Sequence, residues 1–480
     1  MPVHDRTSGD TEPIFAPGSF RDPRARVFVG KDRVFRALSP QAASDFWAVR
    51  ETGFLDDLVG EGRLVPFKDA AAVGAALPAG SASAAALLEH QKLPYITYPY
   101  EWSFSGLQEA ALFHLDLQIR ALERGIKLND ASAYNVQFVG PKPIFIDHVS
   151  FGPYRDGELW VGHRQFCDQF LNPLVLQARL GIPFNDWYRG ALEGIAAMRL
   201  AAALPASAYL SPGLLTHVLL PAYFEKRAAR LPKIEAMAHR EGVHGRLPRA
   251  AFARMLRGLR GLIARLSPKD RDSLWSRYAE DNTYGDDEVQ AKTAFVAEFA
   301  RRTQPATVWD VGCNTGEYSQ AVLKNGGGCS IGLESDPAAL DRAFRRARAE
   351  NLNFLPLYQN IANPSPGQGW NGIERSALKD RIAADGILAL AIIHHIVIGA
   401  YVPMPDALSA LLDMAPSGVV EFVPPSDPQV KRMLASHDGV THEYSTELFD
   451  DVLGRMARVV KSHTLAASGR RLVWYERSRP

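Results

Sequence analysis

A short glycine-containing segment, Asp310-Val-Gly-Cys-Asn-Thr-Gly316, places a carboxylate directly before a tight loop. Apolar residues precede Asp310 and a helical pattern begins at Glu317, so the segment is expected to join a buried strand to a helix. Glycine lets a backbone take positive φ or approach a ligand closely. Backbone N–H groups in such a loop point at polar ligand atoms. The segment therefore predicts a binding site for a polar small molecule.

A second carboxylate, Glu334, ends the next predicted strand, about 20 residues after the glycines, where an acid suits the O–H donors of a ribose. Asp310 would repel a pyrophosphate, but it would attract the ammonium group of a methionine. The two carboxylates therefore favour S-adenosylmethionine over NAD as the ligand.

Over about residues 275–480 the pattern resembles the class I, Rossmann-like family of S-adenosylmethionine-dependent methyltransferases. The third predicted strand ends at Gln359 and Asn360, where this family places groups that contact adenine. The residues that the resemblance implies as cofactor contacts are Asp310, Gly312, Cys313, Asn314, Gly316, Glu334, Ser335, Gln359 and Asn360.

Two adjacent histidines, His394 and His395, follow an apolar run that predicts a central parallel strand from Asp385. Ligands bind outside the carboxyl ends of such strands. An imidazole there can take a proton from a substrate hydroxyl during methyl transfer. The alternative is that one ring packs and the other bonds the backbone.

Several further residues are candidates for a wall or cap of the pocket. Tyr278, Tyr284 and Lys292 precede the glycine loop, and the resemblance suggests that such a segment covers cofactor or substrate. Trp370 lies in a loop rich in turn-forming residues. The alternatives are a connector packed through its aromatic residues and an ordinary surface loop.

The N-terminal half carries a weaker pattern: Asp130 and Asn135 follow a long predicted helix, and Asp147 ends a later strand. This resembles the catalytic loop and metal-binding aspartate of the protein-kinase-like and aminoglycoside-phosphotransferase-like fold, which implies Mg-ATP as a ligand. His148 stands where phenylalanine is usual, and no convincing glycine-rich phosphate loop is present. An active kinase, a nucleotide-binding pseudokinase and a structural Asp–Asn network all remain open.

These patterns predict an α/β fold: a C-terminal seven-stranded Rossmann-like methyltransferase domain, preceded by an α+β kinase-like domain and a helical linker. A hairpin is expected over residues 25–38 and a helix over about 40–58. The predicted divisions are a flexible lead (1–19), a degenerate kinase-like domain (20–200), a helical linker (201–270) and a methyltransferase domain (271–480).

The composition limits the partners and the compartment. The 54 Lys and Arg residues balance 53 Asp and Glu residues, so no basic field suggests nucleic acid, and a small-molecule or glycan acceptor is favoured. Three separated cysteines without a Cys-x-x-Cys pair make zinc or a disulfide framework improbable, and no metal is expected in the methyltransferase domain. Without an apolar signal segment or membrane span, a cytoplasmic location is expected.

Two further functional alternatives remain at this stage. Arginines between residues 246 and 265 allow peripheral contact with an anionic membrane, although a solvated helix face explains them as well. Besides a methyltransferase, the sequence allows a phosphotransferase activity in the N-terminal half, or a non-catalytic regulator that binds S-adenosylmethionine.

Overall fold

A computed structural model of the chain describes residues 13–70, 84–230, 246–269, 273, 286–436 and 442–477. Within those residues a five-stranded antiparallel sheet lies in the N-terminal half and a seven-stranded mixed sheet in the C-terminal half, with two smaller two-stranded sheets.

The N-terminal sheet has the strand order β1-β2-β3-β5-β4. Its strands are β1 (Ile14–Phe15), β2 (Ala25–Val29), β3 (Arg33–Leu38), β4 (Phe67–Asp69) and β5 (Ala86–Gln91). The predicted hairpin is confirmed, because Phe28 of β2 pairs with Phe35 of β3. The predicted single helix over 40–58 is wrong: α1 (Pro40–Arg50) and α2 (Phe54–Gly60) are separated at Gly53, whose φ is 74°.

A long buried helix, α3 (Phe104–Glu123), leads into the segment that carries the predicted Asp–Asn pattern. The Ser103 hydroxyl caps it by accepting from the Gly106 N–H. Four short strands follow: β6 (Ile126–Leu128), β7 (Val136–Val139), β8 (Lys142–Phe145) and β9 (Phe151–Pro153). The strands β6 and β9 pair with each other, as do β7 and β8.

The stretch between the two sheets is mainly helical, as the sequence predicts. Its helices are α4 (His163–Phe166), α5 (Asn172–Leu180), α6 (Asn185–Arg189), α7 (Ala197–Ala203), α8 (Pro212–Leu214), α9 (Leu220–Arg230) and α10 (Arg249–Ala264). Two π-helical turns interrupt it, at Cys167–Leu171 and Leu215–Leu219. Two of the arginines of α10 are engaged within the chain: Arg260 pairs with Asp116, and Arg249 donates to the Leu122 carbonyl. Membrane contact by this helix stays a prediction.

The C-terminal sheet has the order β12-β11-β10-β13-β14-β16-β15. Its strands are β10 (Thr307–Val311), β11 (Cys329–Glu334), β12 (Phe354–Tyr358), β13 (Gly386–Ala389), β14 (Ser417–Phe422), β15 (Arg458–Thr464) and β16 (Arg471–Glu476). The helices of this half are α11 (Asp286–Thr303), α12 (Glu317–Lys324), α13 (Pro337–Ala349), α14 (Leu378–Arg381), α15 (Met404–Leu412), α16 (Pro428–Ser436) and α17 (Thr446–Met456).

Five of these strands are parallel, and β16 is antiparallel to both β14 and β15. The predicted seven-stranded sheet is therefore confirmed, and its last two strands form a hairpin. The direction of strand addition reverses between β10 and β13, and in an open α/β sheet the crevice at such a point is where ligands bind. The loop after β10, the end of β11 and the histidines after β13 all lie beside this point.

The two halves share a buried boundary. Tyr95 packs edge-on against Trp309 of β10, and Phe138 packs edge-on against Phe344 of α13. The Glu101 carboxylate pairs with Arg381 and both side chains are nearly inaccessible to solvent. No helix among the described residues has the length and apolar character needed to cross a bilayer.

Candidate cofactor and acceptor site

The loop after β10 is built on left-handed backbone. Gly312, Asn314 and Gly316 have φ values of 76°, 49° and 85°. Asparagine tolerates this region better than most residues, and glycine adopts it freely. A side chain at Gly316 is also excluded by space, because its Cβ would lie 2.4 Å from the ring of Phe354. These residue types therefore allow a tight turn in which the N–H groups of Gly312 and Cys313 donate to the Leu333 carbonyl and that of Gly316 donates to the Cys313 carbonyl.

The Glu334 carboxylate holds this loop to the end of β11. Its Oε2 accepts from the N–H of Asn314 at 2.9 Å, and its Oε1 accepts from the N–H groups of Ser335 and Asp336 at 2.7 and 2.8 Å. Burial raises the pKa of Glu334, and the three N–H donors oppose that rise. A carboxylate has about four lone-pair sites, so one site remains on Oε2 for a further donor.

Asp310 lies at the floor of the loop, almost fully buried. Its carboxylate accepts from the hydroxyl of Ser319 in α12 at 2.7 Å, and Ser319 in turn accepts from Ser330 of β11 at 2.9 Å. Burial raises the pKa of Asp310 to about 7. A nearby cationic group would favour its ionised form.

The other predicted cofactor contacts lie in the loop and just after the ends of β11 and β12, which together form the rim of the crevice. Cys313 is buried beneath the loop, while Ser335 is exposed at the start of the turn after β11. The Gln359 amide donates to Glu101 at 2.7 Å and to Ser365 at 2.9 Å, so this side chain links the rim to the N-terminal half. Asn360 is exposed and accepts from the Ala362 N–H. Their contacts with a cofactor stay predictions.

The strand β13 ends at Ala389, earlier than the sequence predicts, because Ala391 takes a left-handed φ of 50°. His394 and His395 therefore lie in a helical turn past the strand, with ring centroids 4.1 Å apart. His394 is inaccessible to solvent, and neither ring nitrogen has a hydrogen-bond partner within the described part of the chain. Burial lowers the pKa of His394 well below its usual value and also lowers that of His395, which is only half-buried.

Beside the histidines lies a buried charged group that sequence reasoning missed. Lys292 of α11 pairs with Glu421 of β14 at 2.7 Å, and Arg470 lies 3.7 Å from the same carboxylate. Arg470 also pairs with Asp427 at 2.9 Å. Burial raises the pKa of Glu421. The one available signal was Glu421 itself, a charge within the apolar strand Gly418-Val-Val-Glu-Phe-Val.

The predicted cap residues fall in different places. Lys292 belongs to the buried charged group just described, so its charge is already paired. Trp370 is 70% exposed, and its backbone N–H donates to the Glu374 carboxylate. Tyr278 and Tyr284 lie outside the described residues. A covering role for these four residues stays a prediction.

In the N-terminal half, the three predicted polar residues do come together. The Asn135 amide donates to Asp130 at 3.0 Å and lies 3.4 Å from an oxygen of Asp147. Arg36 of β3 and the Ser150 hydroxyl also bind the Asp147 carboxylate. Burial and then the charge of Asp147 raise the pKa of Asp130. Arg36 is a contact that sequence reasoning did not assign to this cluster.

The strand order, the glycine loop and the acid at the end of β11 agree with the Rossmann-like α/β domain that the resemblance to class I methyltransferases predicts. The chain is 44% identical over 462 residues to the nodulation protein NoeA of Rhizobium meliloti (strain 1021), which covers 96% of each chain. It therefore belongs to the NoeA family. No protein-family model matches the chain.

Solved structures are similar to part of the chain. They include the magnesium protoporphyrin IX methyltransferase ChlM from Synechocystis PCC 6803 with bound SAH, which is 16% identical and covers 42% of this chain and 93% of its own, with a TM-score of 0.31. The N-methyltransferase NodS from Bradyrhizobium japonicum WM9 in complex with S-adenosyl-L-homocysteine is 12% identical and covers 42% and 92%, also with a TM-score of 0.31. The fold assignment rests on the strand order rather than on these superpositions. The kinase-like fold of residues 20–200 has no support among them and stays a prediction.

The Lys292–Glu421 pair gives a prediction about stability. Lys292→Met should lower the free energy of unfolding by about 3–5 kcal/mol, because it leaves Glu421 buried with its nearest cation removed. Denaturant unfolding followed by tryptophan fluorescence measures the change. The matched control is Lys461→Met, since Lys461 pairs with Glu298 at the surface, and its loss should cost at most about 1 kcal/mol.

The same variant should show a defined pH dependence. Without Lys292 the folded-state pKa of Glu421 rises further above its unfolded value, so the folded protein holds a proton that the unfolded chain releases. The destabilisation should therefore be small at acid pH and grow as the pH rises through the folded-state pKa. Equal losses for Lys292→Met and Lys461→Met at every pH would show that the buried pair does not form.

Proposed function

We propose that this protein transfers a methyl group from S-adenosylmethionine to a small-molecule or glycan acceptor. The observation that carries the proposal is the Glu334 carboxylate, fixed at the end of β11 by the N–H of the glycine loop, with one lone-pair site left on Oε2. A ribose hydroxyl is a donor of the right kind for that site. The relative named a nodulation protein leads us to propose a role in nodulation for this chain as well.

The residues of the loop and rim fit the polar parts of the cofactor. The Asp310 carboxylate, with its pKa raised to about 7, would be held ionised by an ammonium group and would help to bind it. Backbone N–H groups at the start of α12 suit a carboxylate. Ser335, Gln359 and Asn360 would contact the ribose and adenine, and Gly312, Cys313 and Gly316 would shape the loop.

When bound, S-adenosylmethionine supplies an electrophilic methyl group on its sulfonium sulfur. The chain's part is to hold the acceptor in line with that group and to exclude water. If the acceptor is a hydroxyl, its proton must leave as the new bond forms. The proposed base is His394 or His395, and access favours His395, because it is half-buried whereas His394 is inaccessible. Both pKa values are lowered, so both rings are neutral and able to accept a proton at neutral pH. A nitrogen acceptor would need no strong base.

A calorimetric titration of the full-length protein with S-adenosylhomocysteine tests the cofactor site. Wild type should bind in the micromolar range, and Glu334→Ala should weaken binding about tenfold or more, the value of roughly one good hydrogen bond. Glu334→Gln is a second test of the contact. An amide nitrogen at the Oε2 position cannot accept from the Asn314 N–H, because both groups are donors. Glu350→Ala is the matched control, since Glu350 is exposed at the end of α13.

Absence of binding to folded wild-type protein, or equal binding by the Glu334 and Glu350 variants, would contradict the assignment. A protein that binds the cofactor but methylates no acceptor would instead match the non-catalytic regulator that the sequence allows.

The contacts of Asn135 with Asp130 and Asp147 favour a second candidate function, nucleotide binding or phosphotransfer in the N-terminal half. In the resembled fold, residues at these positions orient an acceptor hydroxyl and hold magnesium. Here Arg36 already pairs with Asp147, so Mg-ATP would have to share or displace that contact.

This second candidate predicts magnesium-dependent ATP binding that is lost in Asp147→Ala and kept in Asp57→Ala, where an exposed aspartate pairs with Arg124. Fluorescence titration with a labelled ATP analogue, with and without magnesium, measures both. If Asp147→Ala still binds ATP, or if the wild-type protein binds none, then Asp130, Asn135 and Asp147 have a structural role.

A further inference from the structure

Three residues with metal-binding side chains meet in the helical stretch, away from both sites described above. They are His163, Cys167 and His217, and their nearest ligand atoms all lie within 4.8 Å of one another. His163 Nε2 is 2.9 Å from His217 Nδ1 and 3.6 Å from the Cys167 sulfur. Cys167 and His217 are buried, and His163 is half-buried.

The backbone that presents these side chains is unusual. His163 begins α4, and Cys167, one turn later, begins the π-helical turn Cys167–Leu171. His217 is the central residue of the second π-helical turn, Leu215–Leu219. Single π-helical turns are rare and often occur at functional sites, because they redirect side chains that a regular helix would point elsewhere. Here two such turns face each other across the cluster.

The neighbouring charges do not compete for the cluster. The Asp168 carboxylate accepts from Asn172 and lies 3.5 Å from Arg164, and Arg164 also reaches Glu225. The indole ring of Trp160 lies against His163, with ring centroids 5.7 Å apart, and forms an apolar wall. The sulfur and two imidazole nitrogens are therefore the polar atoms that converge.

We propose that His163, Cys167 and His217 bind one zinc ion that ties the two π-helical turns together, with solvent as the fourth ligand. One thiolate and two imidazoles are a donor set that zinc prefers. Tetrahedral zinc, with bonds of about 2.0–2.1 Å to nitrogen and 2.3 Å to sulfur, places nitrogen and sulfur ligands about 3.6 Å apart and two nitrogens about 3.4 Å apart. The distance from His163 Nε2 to the Cys167 sulfur already matches, and the His217 nitrogen lies within 4.8 Å of that sulfur. The two imidazoles need to separate by about half an ångström.

Binding requires defined proton positions. The lone pairs of His163 Nε2 and His217 Nδ1 must face the ion, so each ring carries its proton on the other nitrogen. The Cys167 thiol loses its proton to solvent as the zinc–sulfur bond forms. The metal-free alternative is a hydrogen bond between the two imidazoles, with one of the facing nitrogens protonated. The absence of a Cys-x-x-Cys pair made zinc improbable from the sequence, whereas the site proposed here combines one cysteine with two histidines that are distant in the chain.

The test is the metal content of the full-length protein, purified without an affinity tag that binds metal and measured by plasma mass spectrometry. We expect about one zinc per chain in wild type and in Cys329→Ala, a control in which a half-buried cysteine elsewhere is removed. Cys167→Ala and His217→Gln should each lose most of the zinc. Zinc contents in the cluster variants equal to that of Cys329→Ala would overturn the proposal, as would wild-type protein that takes up no zinc when zinc chloride is added.

Two measurements on wild type keep the test independent of whether the variants fold. Cobalt added to chelator-treated protein should give the intense visible bands of a tetrahedral site and a near-ultraviolet thiolate-to-cobalt band. Chelation should lower the thermal midpoint by several degrees, and zinc should restore it. A cobalt spectrum without a thiolate band, or a midpoint unchanged by the chelator, would count against the site. Binding of S-adenosylhomocysteine is a separate readout, so this proposal and the proposed methyl transfer can fail independently.

Discussion

Three backbone N–H groups converge on one buried carboxylate, that of Glu334, and the geometry of the crevice depends on this interaction. It fixes the left-handed Asn314 against the end of β11, and the ring of Phe354 fills the space behind Gly316. Moving the carboxylate would leave a buried charge without donors and the loop without its anchor, and both are costly. The loop is therefore held in shape before any ligand arrives, which lowers the cost of ordering it on binding.

A second constraint involves β14, which is separated from β11 by β10 and β13. Lys292, Glu421, Arg470 and Asp427 join α11, β14, the terminal hairpin and the start of α16 through buried charges. Buried ion pairs add little net stability, but they fix geometry, because any rearrangement leaves a charge unpaired. All four side chains are buried, so the group fixes how these elements sit against one another without itself lining an open surface.

The sequence predicts the central strands of the C-terminal sheet well, because they are apolar runs next to glycines and acids; β11, for example, ends at Glu334 as predicted. It fails where a single backbone conformation decides the outcome. Gly53 divides a helix, and the left-handed Ala391 ends β13 early and moves His394 and His395 into a helical turn. It also misses pairs distant in the chain, such as Lys292 with Glu421, since periodicity carries no information about which elements meet.

The rim also contacts the N-terminal half directly, because Glu101 accepts from Gln359 and pairs with Arg381. A ligand bound at the rim should therefore affect backbone motion both in the loop and in the N-terminal residues across this boundary. Hydrogen–deuterium exchange of the full-length protein, with and without S-adenosylhomocysteine, shows whether the cofactor binds at this loop. Exchange should slow in peptides that cover residues 310–317 and 333–338, where the N–H groups of Asn314, Ser335 and Asp336 lie. Unchanged exchange in both peptides at a saturating ligand concentration, or protection confined to residues 130–150, would contradict binding at this loop.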